Sequence, residues 1–292
     1  MGRALHLARG LLLALLLIGC GASGTQSPSA ATPTPSPTPT PGPAGGVAFP
    51  SRVVGDSFQL YVALPERYET DSGSRYPVVY LLDANWNFEP VRDLVRSLVS
   101  EGQMEPVILV SVCPVQALQA GYGGTAPARC RDLTPTADAG FPGSGHADGF
   151  AGFLRSELIP YVDATYRTKP TADARCLMGH SLAGLFTWYA ALRLNDVVHK
   201  FVPASASLFW DDHVMLEYEV AYAREHADLP ARVYSTVSTG EGPDMVDDRD
   251  EWVDRLRSRK YPGLHVQTAT YVGIEHDLSS GPAFREGLTE LF

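Results

Sequence analysis

Residues 176–186 read CLMGHSLAGLF. An apolar, strand-like RCLMG leads into Ser181, and an amphipathic helical run, LAGLFTWYAALRL, follows it. Strand, sharp turn and helix around a serine is the pattern of a nucleophile elbow. The turn lifts the hydroxyl above a sheet. Strand and helix pass so closely that the residues two before and two after the serine must be small. Gly179 and Ala183 hold those positions, Ala183 where the motif ordinarily has a second glycine, and Gly184 follows.

A serine hydroxyl is a poor nucleophile until a base takes its proton. In a fold with this element order the base is a histidine after the last strand, with the acid between serine and histidine in the chain. YVGIEHDLSS places His276 there. His6, His146, His180, His199, His213, His226 and His265 fall in the leader, in helices or in positions less suited to reach Ser181. STGEGPDMVDD, after the strand-like ARVYSTV, offers Glu241 in its turn and then Asp244. Asp211, Asp212, Asp247 and a pair with no acid are the alternatives to Glu241. Asp247, Asp248 and Asp250 also read as the acidic start of a helix, where the dipole favours them. A developing oxyanion needs two preorganised N–H donors. The expected pair is the backbone N–H of Leu182 and that of Asn85 or Trp86. This chemistry calls for no cofactor and no metal.

The elements that must position these groups follow from hydrophobic periodicity. SFQLYVALP (57–65) alternates, as a half-exposed antiparallel strand does. YPVVYLLDA (76–84) and PVILVSVC (106–113) are continuously apolar, as buried parallel strands are. From there to the C-terminus, helical and strand-like runs alternate. That order predicts an α/β fold: a mostly parallel sheet, helices on both faces, and a short antiparallel strand at the N-terminal end.

The chain has 292 residues, 45% of them hydrophobic, enough for a sizeable core. Its start is different. Arg3 and Arg9 precede LLLALLLI, a run of signal-peptide length that ends in LIGC at Cys20. This resembles a lipobox, with cleavage before Cys20 and acylation of its thiol. Residues 21–46 alternate Pro with Thr and Ser, a composition that builds no core and favours extended spacers. The expected organisation is a signal peptide over 1–19, an acylated Cys20 and linker over 20–46, and one domain over 47–292. The net charge of −10, with no basic run, argues against nucleic acid. A membrane contact would therefore run through lipid at Cys20. Of the other cysteines, Cys113 and Cys130 flank one loop and are the expected bridge, and Cys176 reads as a buried free thiol.

Over roughly residues 50–292 the chain resembles the putative-esterase family, of the esterase D type, within the α/β-hydrolase superfamily. The segments that carry the resemblance are RYPVVYLLDANWNF, RCRDLTPT, GFLRSELIPYVDATYRT, LMGHSLAGLFTWYAAL, SASLFW and GIEHDLSS. It is nearest to the branch of siderophore esterases that cleave enterobactin- or bacillibactin-like trilactones. The resemblance implies Ser181 as nucleophile and His276 as base. Three departures bear on substrate: Ala84 and Ala183 stand where the family usually has glycine, and SASLFW replaces SPSLWW. Trp86, Arg131 and Trp210 are candidates to line the pocket. Arg131 with Asp132, Thr134 and Thr136 reads in preference as a buried ion pair pinning a long loop, and the two tryptophans equally as core.

The expected protein is an exported bacterial lipoprotein, held on the extracytoplasmic side of a membrane. It would hydrolyse small carboxylic esters, siderophore-type esters among them. An acyltransferase on the same residues, or a ligand-binding lipoprotein that has lost catalysis, are the rival expectations. Oligomeric state is not encoded in any motif.

Overall fold

The computed structural model describes Thr40–Pro41 and residues 46–118 and 126–292. The signal peptide, Cys20 and most of the linker lie outside the described residues.

The order of elements follows the alternating pattern. Strands are β1 (Thr40–Pro41), β2 (Val47–Ser51), β3 (Asp56–Ala63), β4 (Val78–Leu82), β5 (Ile108–Pro114), β6 (Arg175–His180), β7 (Lys200–Ala204), β8 (Ala231–Ser238) and β9 (Leu264–Tyr271). Helices are α1 (Ala84–Ser100), α2 (Pro127–Leu133), α3 (Ala147–Phe153), α4 (Ile159–Thr165), α5 (Leu182–Arg193), α6 (a single turn, Trp210–His213), α7 (Met215–Glu225), α8 (Pro243–Ser258) and α9 (His276–Leu291). The strands form one sheet in the order β1-β2-β3-β5-β4-β6-β7-β8-β9. Pairing is parallel from β5 to β9 and antiparallel among β1, β2, β3 and β5.

The sheet separates two apolar layers because side chains alternate along each strand. In β4, Val78, Tyr80 and Leu82 join the layer that includes α3, α4 and α5, whereas Val79 and Leu81 join the layer under α1 and α9. Both faces are covered, so β4 and β5 are buried at every position. This is why their sequences are continuously apolar.

Four expectations are revised. The antiparallel part has three strands, because Thr40–Pro41, within the expected spacer, pairs with Val47 and Ala48. The spacing of GFAGFLRSELIPYVDATY predicts one helix over 149–166, where the structure has α3, a π-helical stretch Leu154–Leu158 and α4 in succession. Helix α5 is buried at every position from Leu182 to Leu192, so it is a core helix and not amphipathic. Finally, Cys113, Cys130 and Cys176 are all free thiols, so the expected Cys113–Cys130 bridge is absent. Each is packed as a small apolar side chain in the core, Cys113 on β5 and Cys130 inside α2.

Candidate active site

The C-terminal ends of the parallel strands form one edge, the usual location of ligand sites in open α/β sheets. There β4 ends at Asp83, β6 at Ser181, β7 at Ser205, β8 at the turn holding Glu241, and β9 at the turn before His276.

Ser181 has φ 63° and ψ −122°, left-handed backbone that a serine rarely adopts. Its surroundings enforce it. The Ser181 N–H donates to Ala204 O at 3.0 Å, and its carbonyl accepts from Leu185 N at 2.9 Å and Ser207 N at 3.2 Å. Crowding at the turn explains the alanine in the motif. A Cβ on Gly179 would lie 2.5 Å from Ala183 O and 2.7 Å from the Ala183 Cβ. The backbone carbonyl of residue 183 keeps position 179 a glycine whatever stands at 183, and the methyl at 183 is accommodated only because 179 has none.

Among the acids considered, Glu241 is the one bonded to the histidine: its Oε1 lies 3.0 Å from His276 Nδ1. Asp211, Asp212 and Asp244 are exposed and do not reach it. Gly240 permits the approach, because a Cβ there would lie 2.4 Å from Ile274 O in the turn that delivers His276. Ser238 then stitches the two turns. Its hydroxyl accepts from Gly240 N at 3.2 Å and Ile274 N at 3.0 Å, while its own N–H donates to Glu241 Oε2 at 3.0 Å. Burial alone would raise the Glu241 pKa. The hydrogen bonds from His276, from the Ser238 N–H and from the Ser205 and Ser279 hydroxyls outweigh it and hold the group down to about 2. The carboxylate is therefore ionised at neutral pH.

Three further residues, which motif reading did not single out, complete the network. The Ser279 hydroxyl donates to Glu241 Oε1 at 2.9 Å, and it lies 3.0 Å from His180 Nε2 and 2.9 Å from Ser205 Oγ. A hydroxyl has one hydrogen and two lone pairs. With that hydrogen on the carboxylate, Ser279 Oγ accepts from His180 Nε2, and the single Ser205 hydrogen is shared between Ser279 and Glu241. His180 is neutral because burial, then the nearby His276, pull its pKa down to about 3. The two imidazole rings are 4.5 Å apart, which brings the residue before Ser181 against the histidine of the last loop. No hydrogen bond to Ser181 Oγ forms among the described residues; such bonds commonly close only around substrate.

The expected oxyanion donors sit at two helix starts, where backbone N–H groups have no intrahelical partner. Leu182 opens α5. On α1, the Trp86 N–H closes on Asp83 O at 3.0 Å, which leaves Asn85 as the candidate. The Asn85 N–H faces the Cys113 thiol, a weak acceptor. Asp83, itself left-handed at φ 56°, is gripped by Arg129 through two bonds of 2.8 Å, both side chains being buried. The Arg129 guanidinium also stands 5.1 Å over the Trp86 ring and bonds His180 O at 3.4 Å. It ties the loop after β4 to the strand that ends at Ser181.

The other two pocket candidates have packing roles. Arg131 is clamped between Asp56 and Asp132, each at 2.7 Å. Trp210 is buried, donates to Thr136 O at 3.2 Å and packs 5.1 Å from Phe141. Among the described residues, His180, Glu241 and His276 also bring possible metal-ligand atoms within 4.8 Å of one another. A cation there would have to compete for the carboxylate oxygen that now holds His276.

The family model described as "Putative esterase" matches residues 51–264. The chain belongs to this esterase family. A ferri-bacillibactin esterase of Bacillus subtilis is 29% identical over 180 residues, 57% of this chain and 59% of that protein. A siderophore enterobactin esterase of Emericella nidulans is 28% identical over 160 residues, half of each chain. The aligned parts of these two relatives thus amount to little more than half of their lengths. An IroE-like serine hydrolase from Shewanella oneidensis superposes with a TM-score of 0.72 at 23% identity, covering 85% of this chain and 79% of that one. The architecture shared by the family is the α/β-hydrolase fold.

Proposed function

We propose that this esterase-family protein hydrolyses carboxylic esters through an acyl-enzyme formed on Ser181. The observation that carries the reading is the His276 Nδ1–Glu241 Oε1 bond of 3.0 Å, made at the same sheet edge as the left-handed Ser181 turn. Glu241 accepts the Nδ1 hydrogen, so His276 presents a bare Nε2. That nitrogen takes the Ser181 proton as Oγ attacks the ester carbonyl. The N–H groups of Leu182 and Asn85 stabilise the oxyanion. The protonated imidazole gives its proton to the leaving alcohol, and His276 then activates water to release the acid.

Siderophore-type esters are the substrate class suggested by the names of the relatives. The signal-like start and Cys20 support an exported, lipid-anchored protein, with residues 20–46, whose Thr40–Pro41 joins the sheet, as tether and 47–292 as the catalytic domain. The deciding experiment is labelling with a fluorophosphonate probe beside p-nitrophenyl ester turnover. Wild-type protein should show both, and folded Ser181→Ala neither. Equal turnover in that variant would remove Ser181 from the mechanism. Product analysis with an added alcohol acceptor separates hydrolysis from acyl transfer. Cys20→Ala should release the protein from membranes, and continued membrane association would remove the anchor.

A further inference from the structure

We propose that the rim of this site admits esters presenting an apolar, uncharged or cationic surface and repels polyanionic ones. This rests on the ester-hydrolase reading and narrows its substrate class.

The described segments leaving the C-terminal strand ends are 83–88, 115–118, 205–214, 239–246 and 272–281. They contain seven acidic residues and no lysine or arginine. Two of the acids are engaged locally: Asp83 is neutralised by Arg129, and the Glu241 carboxylate is turned inward onto His276, its side chain 1% exposed. The remaining five, Asp211, Asp212, Asp244, Glu275 and Asp277, are exposed and make no ion pair among the described residues. The nearby guanidinium groups are engaged elsewhere, Arg129 on Asp83 and Arg131 on Asp56 and Asp132. An approaching substrate meets negative potential on several sides.

The same rim is apolar. Among the described residues, Val53, Phe209, Val272 and Leu278 are the exposed large hydrophobic side chains. Three of the four stand here: Phe209 at 52% exposure, Val272 at 87% and Leu278 at 67%. Val272 and Leu278 bracket His276. Phe209 lies two residues after Ser207, whose N–H is bonded to the Ser181 carbonyl.

Its position is enforced by strain. Asp211, Asp212 and His213 have φ of 46°, 52° and 62°, three consecutive left-handed residues without a glycine. Buried Trp210 anchors one end of this turn, and the His213–Asp248 bond of 2.8 Å anchors the other. Strained backbone survives where its surroundings over-determine it, and it concentrates at functional sites. Here it fixes the backbone that carries exposed Phe209 and two exposed carboxylates just beyond the end of β7.

A ferric tris-catecholate complex is a trianion, so this rim disfavours it. A neutral ferric complex, or an iron-free ester with apolar groups, meets apolar contact without repulsion.

The test compares three p-nitrophenyl esters of similar acyl length: butyrate, 4-(trimethylammonio)butyrate and monosuccinate. kcat/KM is measured at about 0.01 M and about 0.5 M salt, because screening separates charge from shape. At low salt the anionic ester should be slower than the neutral one by about tenfold or more, and the cationic ester at least as fast as the neutral one. Salt should narrow these gaps, and so should Asp211→Asn/Asp212→Asn/Asp277→Asn at low salt. In Phe209→Ala the advantage of butyrate over acetate should shrink. An anionic ester hydrolysed as well as the neutral one at low salt overturns the proposal, as does a gap indifferent to both salt and the triple variant. Loss of the esterase reading looks different: no Ser181-dependent turnover of any of the three esters.

Discussion

The hydroxyl of Ser279 lies 2.9 Å from Glu241 Oε1, the same oxygen that holds His276 Nδ1 at 3.0 Å. Two donors on one carboxylate oxygen fix its direction, and Ser279 is fully buried. The acid is therefore oriented by a residue three positions after the base, in the first turn of α9.

Ser279→Ala removes that donor and leaves His180 Nε2 without its hydrogen-bond partner. A buried polar group left unpaired costs about 1–3 kcal/mol, so the melting temperature should fall. The kinetic expectation is a kcat lower by about tenfold with KM little changed, since the side chain orients the acid and does not touch substrate. Ser279→Thr, which keeps the hydroxyl, should recover part of the kcat. Unchanged kcat in a folded Ser279→Ala would show that the acid needs no such support.

Glu241→Gln keeps the size of the side chain and removes its charge. The amide can present an N–H toward Nδ1, which selects the wrong imidazole tautomer. Loss of kcat on the order of 100-fold or more is expected, with the fold intact by circular dichroism. Asp244→Asn should leave kcat within about twofold, because exposed surface substitutions change little. The opposite ranking would move the acid role from Glu241 to Asp244.

The elbow makes an asymmetric prediction. Gly179→Ala puts a methyl 2.5 Å from Ala183 O, a backbone atom that cannot move without displacing α5. Misfolding, or destabilisation by about 1–3 kcal/mol, is expected, and activity should be lost. Gly179→Ala combined with Ala183→Gly should recover only part of this, since the carbonyl clash remains. Ala183→Gly alone should fold and retain activity. Thermal unfolding and ester turnover of the three proteins check the order.

Acid stability follows from two depressed pKa values. Neutral His180, with its pKa pulled down to about 3, makes the unfolded chain the better proton acceptor below about pH 6.5. Its contribution is full above that pH and is lost as pH falls toward 3. Glu241, held down to about 2, contributes fully above about pH 4.5 and loses that contribution between there and 2. The melting temperature should therefore begin to fall below pH 6.5. His180→Phe should flatten the upper part of that decline, leaving the Glu241 part below pH 4.5. An unaltered pH profile in His180→Phe would refute the half-buried neutral imidazole.

What the sequence determined by itself is whatever depends on local order. The apolar runs at 78–82 and 108–114 require strands covered on both faces. Small residues around Ser181 require a tight strand–helix turn, and a histidine placed after the last strand is delivered to the catalytic edge by topology alone. What only the tertiary structure decided depends on which neighbours meet. Five candidate acids lay along the chain with Glu241 favoured by its turn, and Gly240 and Ser238 place Glu241 against His276 by letting two turns touch. Ser279, His180 and Arg129 carry no motif, because a buried hydrogen bond leaves no periodicity in a sequence. Cys113 and Cys130 looked like partners by proximity along the chain, yet each is enclosed by its own element. A chain position says which element a side chain rides on; the direction in which it points, and what it meets there, is a property of the packed sheet.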